Sequence, residues 1–176
     1  MKITDIETLM VGPDPFFTWI LVRIHTDEGI TGVGEATGWN GEDRAVRDAI
    51  LDMKPLLIGE DPLNINKLYL KMIRGFPALP GWMGEGGFRW GVHVEAVSGI
   101  EMALWDIAGK KLNVPLYTLL GGKLRDEVRV YADCHAAAPE LATSYTETEV
   151  FEPEAYAERA RKAVKAGFNA IKFDID

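Results

Sequence analysis

The chain has 176 residues, 47% of them hydrophobic and 26% charged, a balance that excludes a disordered chain, a collagen-like repeat and a disulfide scaffold. Its 27 acidic residues outnumber 19 basic ones, which are spread along the chain, and the net charge of −8 argues against nucleic acid and anionic membrane as partners. A single cysteine, Cys134, allows no intramolecular disulfide and fits a reducing compartment; with no signal-peptide core and no apolar run long enough to span a bilayer, a cytoplasmic protein is expected.

Near the start, Ile3, Ile6 and Leu9 suit a short strand, which Gly12-Pro13-Asp14-Pro15 is expected to break. Trp19 to Thr26 is rich in β-branched and aromatic residues, Asp27-Glu28-Gly29 has turn chemistry, and Ile30 to Ala36 resumes the extended pattern. These segments predict a three-stranded antiparallel meander. Asp43 to Met53 then carries Ala45, Val46, Ala49, Ile50 and Met53 at helical spacing, with Pro55 limiting its continuation. Asp61-Pro62 has the form of an N-cap before a second helix that runs to about Ile73.

Gly75 to Gly91, with its glycines, two prolines and Trp82, Phe88 and Trp90, predicts an irregular loop pinned by aromatics. The third helix has the clearest pattern: Val97, Ile100, Leu104 and Ile107 form one apolar stripe, beside which Ala96, Ala103 and Ala108 permit close approach. It ends between Lys110 and Asn113. Val128 to Asp133 then predicts a strand, Pro153 to Ala166 a helix closed by Gly167, and Phe168 to Asp174 a second strand. In that helix Glu158 and Lys162 have the favourable i,i+4 order. Strand, helix and strand make a βαβ unit with parallel strands, whose faces and edges call for further elements. The expected architecture is an α+β domain followed by the opening of an α/β domain.

The run Ala96-Val97-Ser98-Gly99-Ile100-Glu101-Met102-Ala103-Leu104-Trp105-Asp106-Ile107-Ala108-Gly109-Lys110, followed by Pro115-Leu116 and Leu119-Leu120-Gly121-Gly122, resembles the signature of the mandelate racemase/muconate lactonizing enzyme group of the enolase superfamily. The Gly-x-Gly-Glu of Gly32 to Glu35, the stretch Leu57 to Pro62, and Lys123 to Asp126 agree with it in order. The resemblance implies an α+β capping domain over residues 1–125 and, over 126–176, the first strand, first helix and second strand of a TIM-type barrel that is incomplete in this chain. Such a cap closes over the barrel mouth, where barrel enzymes place their chemistry.

The resemblance also implies a reaction that begins with proton abstraction beside a carboxylate and passes through an enediolate stabilised by Mg²⁺. The ligands of that ion are expected beyond residue 176, so no metal ligand is assigned here and the chain is expected to be inactive alone. Cys134-His135 and Lys172-Phe173-Asp174 fall at strand ends, and alternation sends Lys172 and Asp174 to one face. Lysine-base members of the family carry Lys-x-Lys at the second strand; here Asp174 replaces the second lysine. That tilts the reading from racemase to acid-sugar dehydratase, with a histidine on a later strand as base, Lys172 binding the carboxylate or enediolate, and Asp174 contacting a substrate hydroxyl or pairing with Lys172.

His135 stands as a substrate contact or a structural histidine, and Cys134 as a small packing residue. Two cap loops, Pro13 to Thr18 with Phe16 and Phe17, and Thr37 to Glu42 with Trp39 and Asn40, are candidates for substrate selection, or else anchor themselves on the cap core. The glycines from Gly29 to Gly38 lack the spacing and context of a nucleotide loop. Glu35 and Asp106 are assigned no catalysis. The expected partner is a small carboxylate, an acid sugar, and the full-length protein is expected to form a homo-oligomer. A racemase or cycloisomerase of the same family is the alternative, and a non-catalytic cap that acts only by association is another.

Overall fold

A computed structural model describes residues 1–14, 17–38, 42–74, 91–134 and 153–173. The chain divides into two compact units, Met1–Gly122 and Lys123–Asp176.

The first unit opens with β1 (Ile3–Asp14), β2 (Phe17–Thr26) and β3 (Thr31–Glu35), an antiparallel sheet in the order β1-β2-β3. The meander is as expected, but β1 does not break at Gly12-Pro13. It continues to Asp14, and its register slips between Val11 and Asp14, where β1 carries one residue more than β2. Proline is tolerated there because β1 is an edge strand and the irregularity frees it from the hydrogen-bond ladder. A second slip between Ile3 and Asp5 inserts Thr4, which brings Ile3 and Ile6 to one buried face although they are three residues apart.

That face also carries Ile20, Val22 and Ile24 of β2, all buried, and meets α1 (Asp43–Leu57) and α3 (Val92–Leu112), against which α2 (Ile65–Arg74) packs to complete the core. Helix α1 runs two residues past Pro55. Burial of Leu57, in line with Val46, Ile50 and Met53, stabilises the added turn by about 1.5–3 kcal/mol, which offsets the hydrogen bond that proline cannot donate. Helix α2 starts later than the Asp61-Pro62 signature suggests. The Asp61 carboxylate accepts the Leu63 N–H at 3.1 Å and its carbonyl accepts the Asn64 N–H, so Asp61 closes a turn and Asn64 leads into the helix.

The predicted stripe of α3 is buried along its length, as are Ala96, Ala103 and Ala108. Its contact with β3 leaves no room for side chains. A Cβ on Gly32 would lie 2.0 Å from the Ala103 carbonyl oxygen, and one on Gly34 would lie 2.0 Å from that of Gly99. Gly99 in turn has Ala36 Cβ and Val22 Cγ2 within 3 Å of where its own Cβ would stand. The glycines that superficially suggest a nucleotide loop are therefore the floor of a helix–sheet contact. Asp106 reinforces it: its carboxylate accepts the Val33 N–H at 2.8 Å and the Lys110 ammonium at 2.6 Å. Helix α3 ends at Asn113, which takes the left-handed conformation (φ 55°) while its N–H and that of Val114 return to the last carbonyls. A short helix α4 (Leu116–Leu119) follows.

In the second unit, β4 (Ala132–Asp133) and β5 (Ile171–Lys172) form a parallel pair joined through α5 (Pro153–Lys165). The helix has the expected proline at its first position and Gly167 beyond its end, at φ 96°. Both strands are far shorter than the predicted Val128–Asp133 and Phe168–Asp174 segments. Val128 and Val130, expected in the first strand, are exposed and lie outside it. Glu158 pairs with Arg161 at 3.2 Å, three residues on, instead of with Lys162. The aromatic-rich segment with Trp82, Phe88 and Trp90 lies outside the described residues.

Candidate functional site

The site assembles at the ends of β4 and β5. Two backbone hydrogen bonds set its register: Ala132 donates to the Ala170 carbonyl at 3.0 Å, and Cys134 donates to the Lys172 carbonyl at 2.9 Å. Asp133 thereby stands directly across from Lys172. Below the pair, Arg129 clasps the other strand's approach, donating to the Asn169 side chain at 3.0 Å and to its carbonyl at 2.6 Å. Above it, the ring of Phe173 meets Tyr156 of α5 edge-on, with centroids 5.2 Å apart. Because successive side chains alternate, Phe173 faces the helix and Lys172 faces away from it.

On that open side the Lys172 ammonium donates to the Asp133 carboxylate at 3.4 Å, with both side chains about half exposed. The arrangement is a cation at a strand end, held by an acid of the neighbouring strand and open to solvent. It suits recognition of an anionic group such as a substrate carboxylate. Cys134 is buried beside it and is a free thiol that fills space. Asp174 and His135, expected at the same strand ends, lie outside the described residues.

In the first unit, Phe16, Trp39 and Asn40 lie outside the described residues, as does the side chain of Phe17. The stem of the second loop is described. The Thr37 hydroxyl accepts the Ile20 N–H at 3.1 Å, and Gly38 sits against the Glu95 carboxylate, where a Cβ would meet Oε2 at 2.7 Å. Burial, and then the nearby Glu42 carboxylate, push the Glu95 carboxyl above the usual range. The fit at Gly38 and the pairing partner Asp133 both escape sequence reasoning. Asp133 ends a segment with the pattern of an ordinary strand, and only the parallel register brings it to Lys172.

Among the described residues no three His, Cys, Asp or Glu side chains gather to hold a metal ion. Asp133 is engaged by a lysine, an arrangement unsuited to a divalent cation, so the described residues do not fit Mg²⁺. Among them, too, no helix is long and apolar enough to cross a membrane.

Residues 15–121 match the mandelate racemase/muconate lactonizing enzyme N-terminal domain. The chain is 47% identical to a D-xylonate dehydratase of Haloferax volcanii, over 99% of this chain and 37% of that protein. It is 44% identical to a D-galactonate dehydratase of Verminephrobacter eiseniae, over 74% of this chain and 31% of that one. Among solved structures, a member of the enolase superfamily from Salmonella Typhimurium aligns with a TM-score of 0.80 at 36% identity, covering 98% of this chain and 42% of its own. An enolase from Pantoea ananatis with bound D-gluconate and Mg aligns at 0.75 and 31% identity, covering 98% and 36%. The chain thus spans about two-fifths or less of the length of these relatives.

Proposed function

The chain belongs to the mandelate racemase/muconate lactonizing enzyme N-terminal domain family of the enolase superfamily, and from that premise we propose that it is the leading part of an acid-sugar dehydratase acting on an aldonate. The observation that carries the reading is the 47% identity across nearly the whole chain to a D-xylonate dehydratase. The D-galactonate dehydratase relative and the D-gluconate bound in the Pantoea structure support the same substrate class, a linear polyhydroxy carboxylate.

In this reading residues 1–125 are the cap and residues 126–176 open the barrel. The proton on the carbon next to the carboxylate is removed, hydroxide leaves the following carbon with a proton, and the resulting enol becomes a 2-keto-3-deoxy acid, with net loss of water. Lys172 meets the substrate carboxylate and the negative charge that grows on it. Asp174 and His135 contact hydroxyls, and the loops bearing Phe16, Phe17, Trp39 and Asn40 select the sugar chain and exclude water. A Mg²⁺ ion in the whole protein would supply electrostatic stabilisation of developing negative charge; the role assigned to this chain runs through Lys172.

The test is incubation of the gene product containing this chain with D-xylonate, D-galactonate and D-gluconate, with detection of the 2-keto-3-deoxy acid. Formation of that product, with a fall of about 10²-fold in kcat/KM in Lys172→Met, supports the reading. Epimerisation without keto product overturns the dehydratase assignment.

A further inference from the structure

We propose that Glu95 and Gly38 form a proton-dependent latch on the stem that follows β3: the Glu95 carboxyl group seats on Gly38 while it carries a proton, and leaves that seat when it passes the proton to water. The latch stands apart from the reading of Lys172 and holds whether or not that reading does.

The stem is tied down on its β2 side. The Ala36 N–H donates to the Ile20 carbonyl at 2.8 Å, and the Thr37 hydroxyl accepts the Ile20 N–H at 3.1 Å. The next residue, Gly38, comes to rest on Glu95, in the first turn of α3. With no side chain at position 38, the Glu95 carboxyl group lies against the backbone. A Cβ there would stand 2.7 Å from Oε2, 2.9 Å from Cδ and 3.0 Å from Oε1, so the whole group crowds the space of a single absent methyl group.

The chemistry of that seat favours the neutral form. Oε2 is buried and has no hydrogen-bond partner, and an ionised oxygen so placed loses its water with nothing in exchange. Glu42, at the N-cap of α1, is the charged group that bears on Glu95 from a neighbouring element, and it repels the anion. Within α3 the nearest titratable neighbour in sequence is His93, two residues earlier. Among the described residues no lysine or arginine offsets the Glu95 charge. The first turn of a helix favours an anion, yet burial, and then Glu42, keep the carboxyl above its ordinary 4.5. The proton is therefore held to higher pH in the seated state than in the open one. The latch is fully engaged below 4.5 and weakens as pH rises through the folded value.

The experiment follows the Glu95 side-chain carboxyl carbon by NMR across pH in the 176-residue chain, together with hydrogen exchange of the Ile20 N–H, whose acceptor is the Thr37 hydroxyl. Wild-type Glu95 is expected to titrate above 4.5. Ile20 protection, corrected for intrinsic exchange, is expected to fall with that ionisation, by up to about tenfold for every pH unit by which the titration lies above 4.5. In Glu95→Gln, which keeps the shape and removes the charge, Ile20 protection is expected to stay constant through the same interval. The atoms that a methyl group at position 38 would strike belong to the end of a flexible side chain, so Gly38→Ala displaces the carboxyl, which is then expected to titrate near 4.5. A wild-type Glu95 that titrates at or below 4.5 overturns the inference, as does an Ile20 protection with the same pH dependence in the wild type and Glu95→Gln. A Glu95 that titrates as high in Gly38→Ala as in the wild type removes Gly38 as the seat and overturns it too. The wild-type titration and the Gln variant decide the matter if Gly38→Ala fails to fold.

Discussion

The two sheets of this chain are built on opposite economies of contact. In the first unit the meander presses its apolar face on α3 so closely that Gly32, Gly34 and Gly99 have no space for a methyl group, and Ile3, Ile6, Ile20, Val22 and Ile24 on that face are buried. In the second unit β4 and β5 pair over two residues each, Ala163 is the buried residue of α5, and Val128 and Val130 stand in solvent. Dense packing makes the meander intolerant of change and a poor place for chemistry. The sparse pairing leaves the Asp133 and Lys172 side chains accessible, which a binding site requires.

The sharpest way to break this contrast is Gly34→Ala. Its new Cβ meets the Gly99 carbonyl oxygen and the Ala103 nitrogen, backbone atoms that no rotamer change relieves. A loss at the upper end of about 1–3 kcal/mol is expected, read as a lower urea midpoint of the 176-residue chain. A neutral result would mean that α3 and β3 are not in contact as described.

A smaller, pH-dependent effect is expected at Glu60, which lies in the link between α1 and α2. Its carboxyl is held down at about 2 by hydrogen bonds from the Lys67 and Lys71 ammonium groups. The folded value lies below the ordinary 4.5, so the stabilisation is present above that pH and is lost as pH falls through the interval towards about 2. The urea-midpoint difference between the wild type and Glu60→Gln should therefore be positive near neutrality and shrink across that interval. A difference that stays constant with pH would exclude the ion pairs as its source.

The smallest effect is expected at Val130→Ser. The side chain is 65% exposed, and its loss should shift the urea midpoint by no more than about 0.5 kcal/mol equivalent in this chain. A loss comparable to that of Gly34→Ala would show that the second unit is packed as tightly as the first.

Much of the fold is legible in the chain itself. The meander, the stripe of α3, the proline and glycine that bound α5, and the parallel strand–helix–strand order follow from periodicity and terminal residues, which are local properties. The resemblance carried by Ala96 to Lys110 led to the family that the comparisons show. The length of β1 was not legible, because the two register slips that let Pro13 remain in the strand and bring Ile3 and Ile6 to one face depend on the partner strand. Nor was the continuation of α1 through Pro55, since what holds Leu57 is the core it enters. Of the candidate site, the motif around Lys172 is legible in the sequence, whereas the pairing of Lys172 with Asp133 depends on the parallel register.

By itself, then, the sequence determined the element types, their order, the apolar faces and the family, all of which are encoded in residue spacing and chain-local chemistry. Tertiary structure alone decided which residues meet. It turned Gly32 and Gly34 into a packing surface, Asp106 into a clamp on β3, and Asp133 into the partner of Lys172. Those outcomes depend on the register of one element against another. Register is set by contacts between residues that are in some cases 39 or 73 positions apart, and no local pattern carries that information.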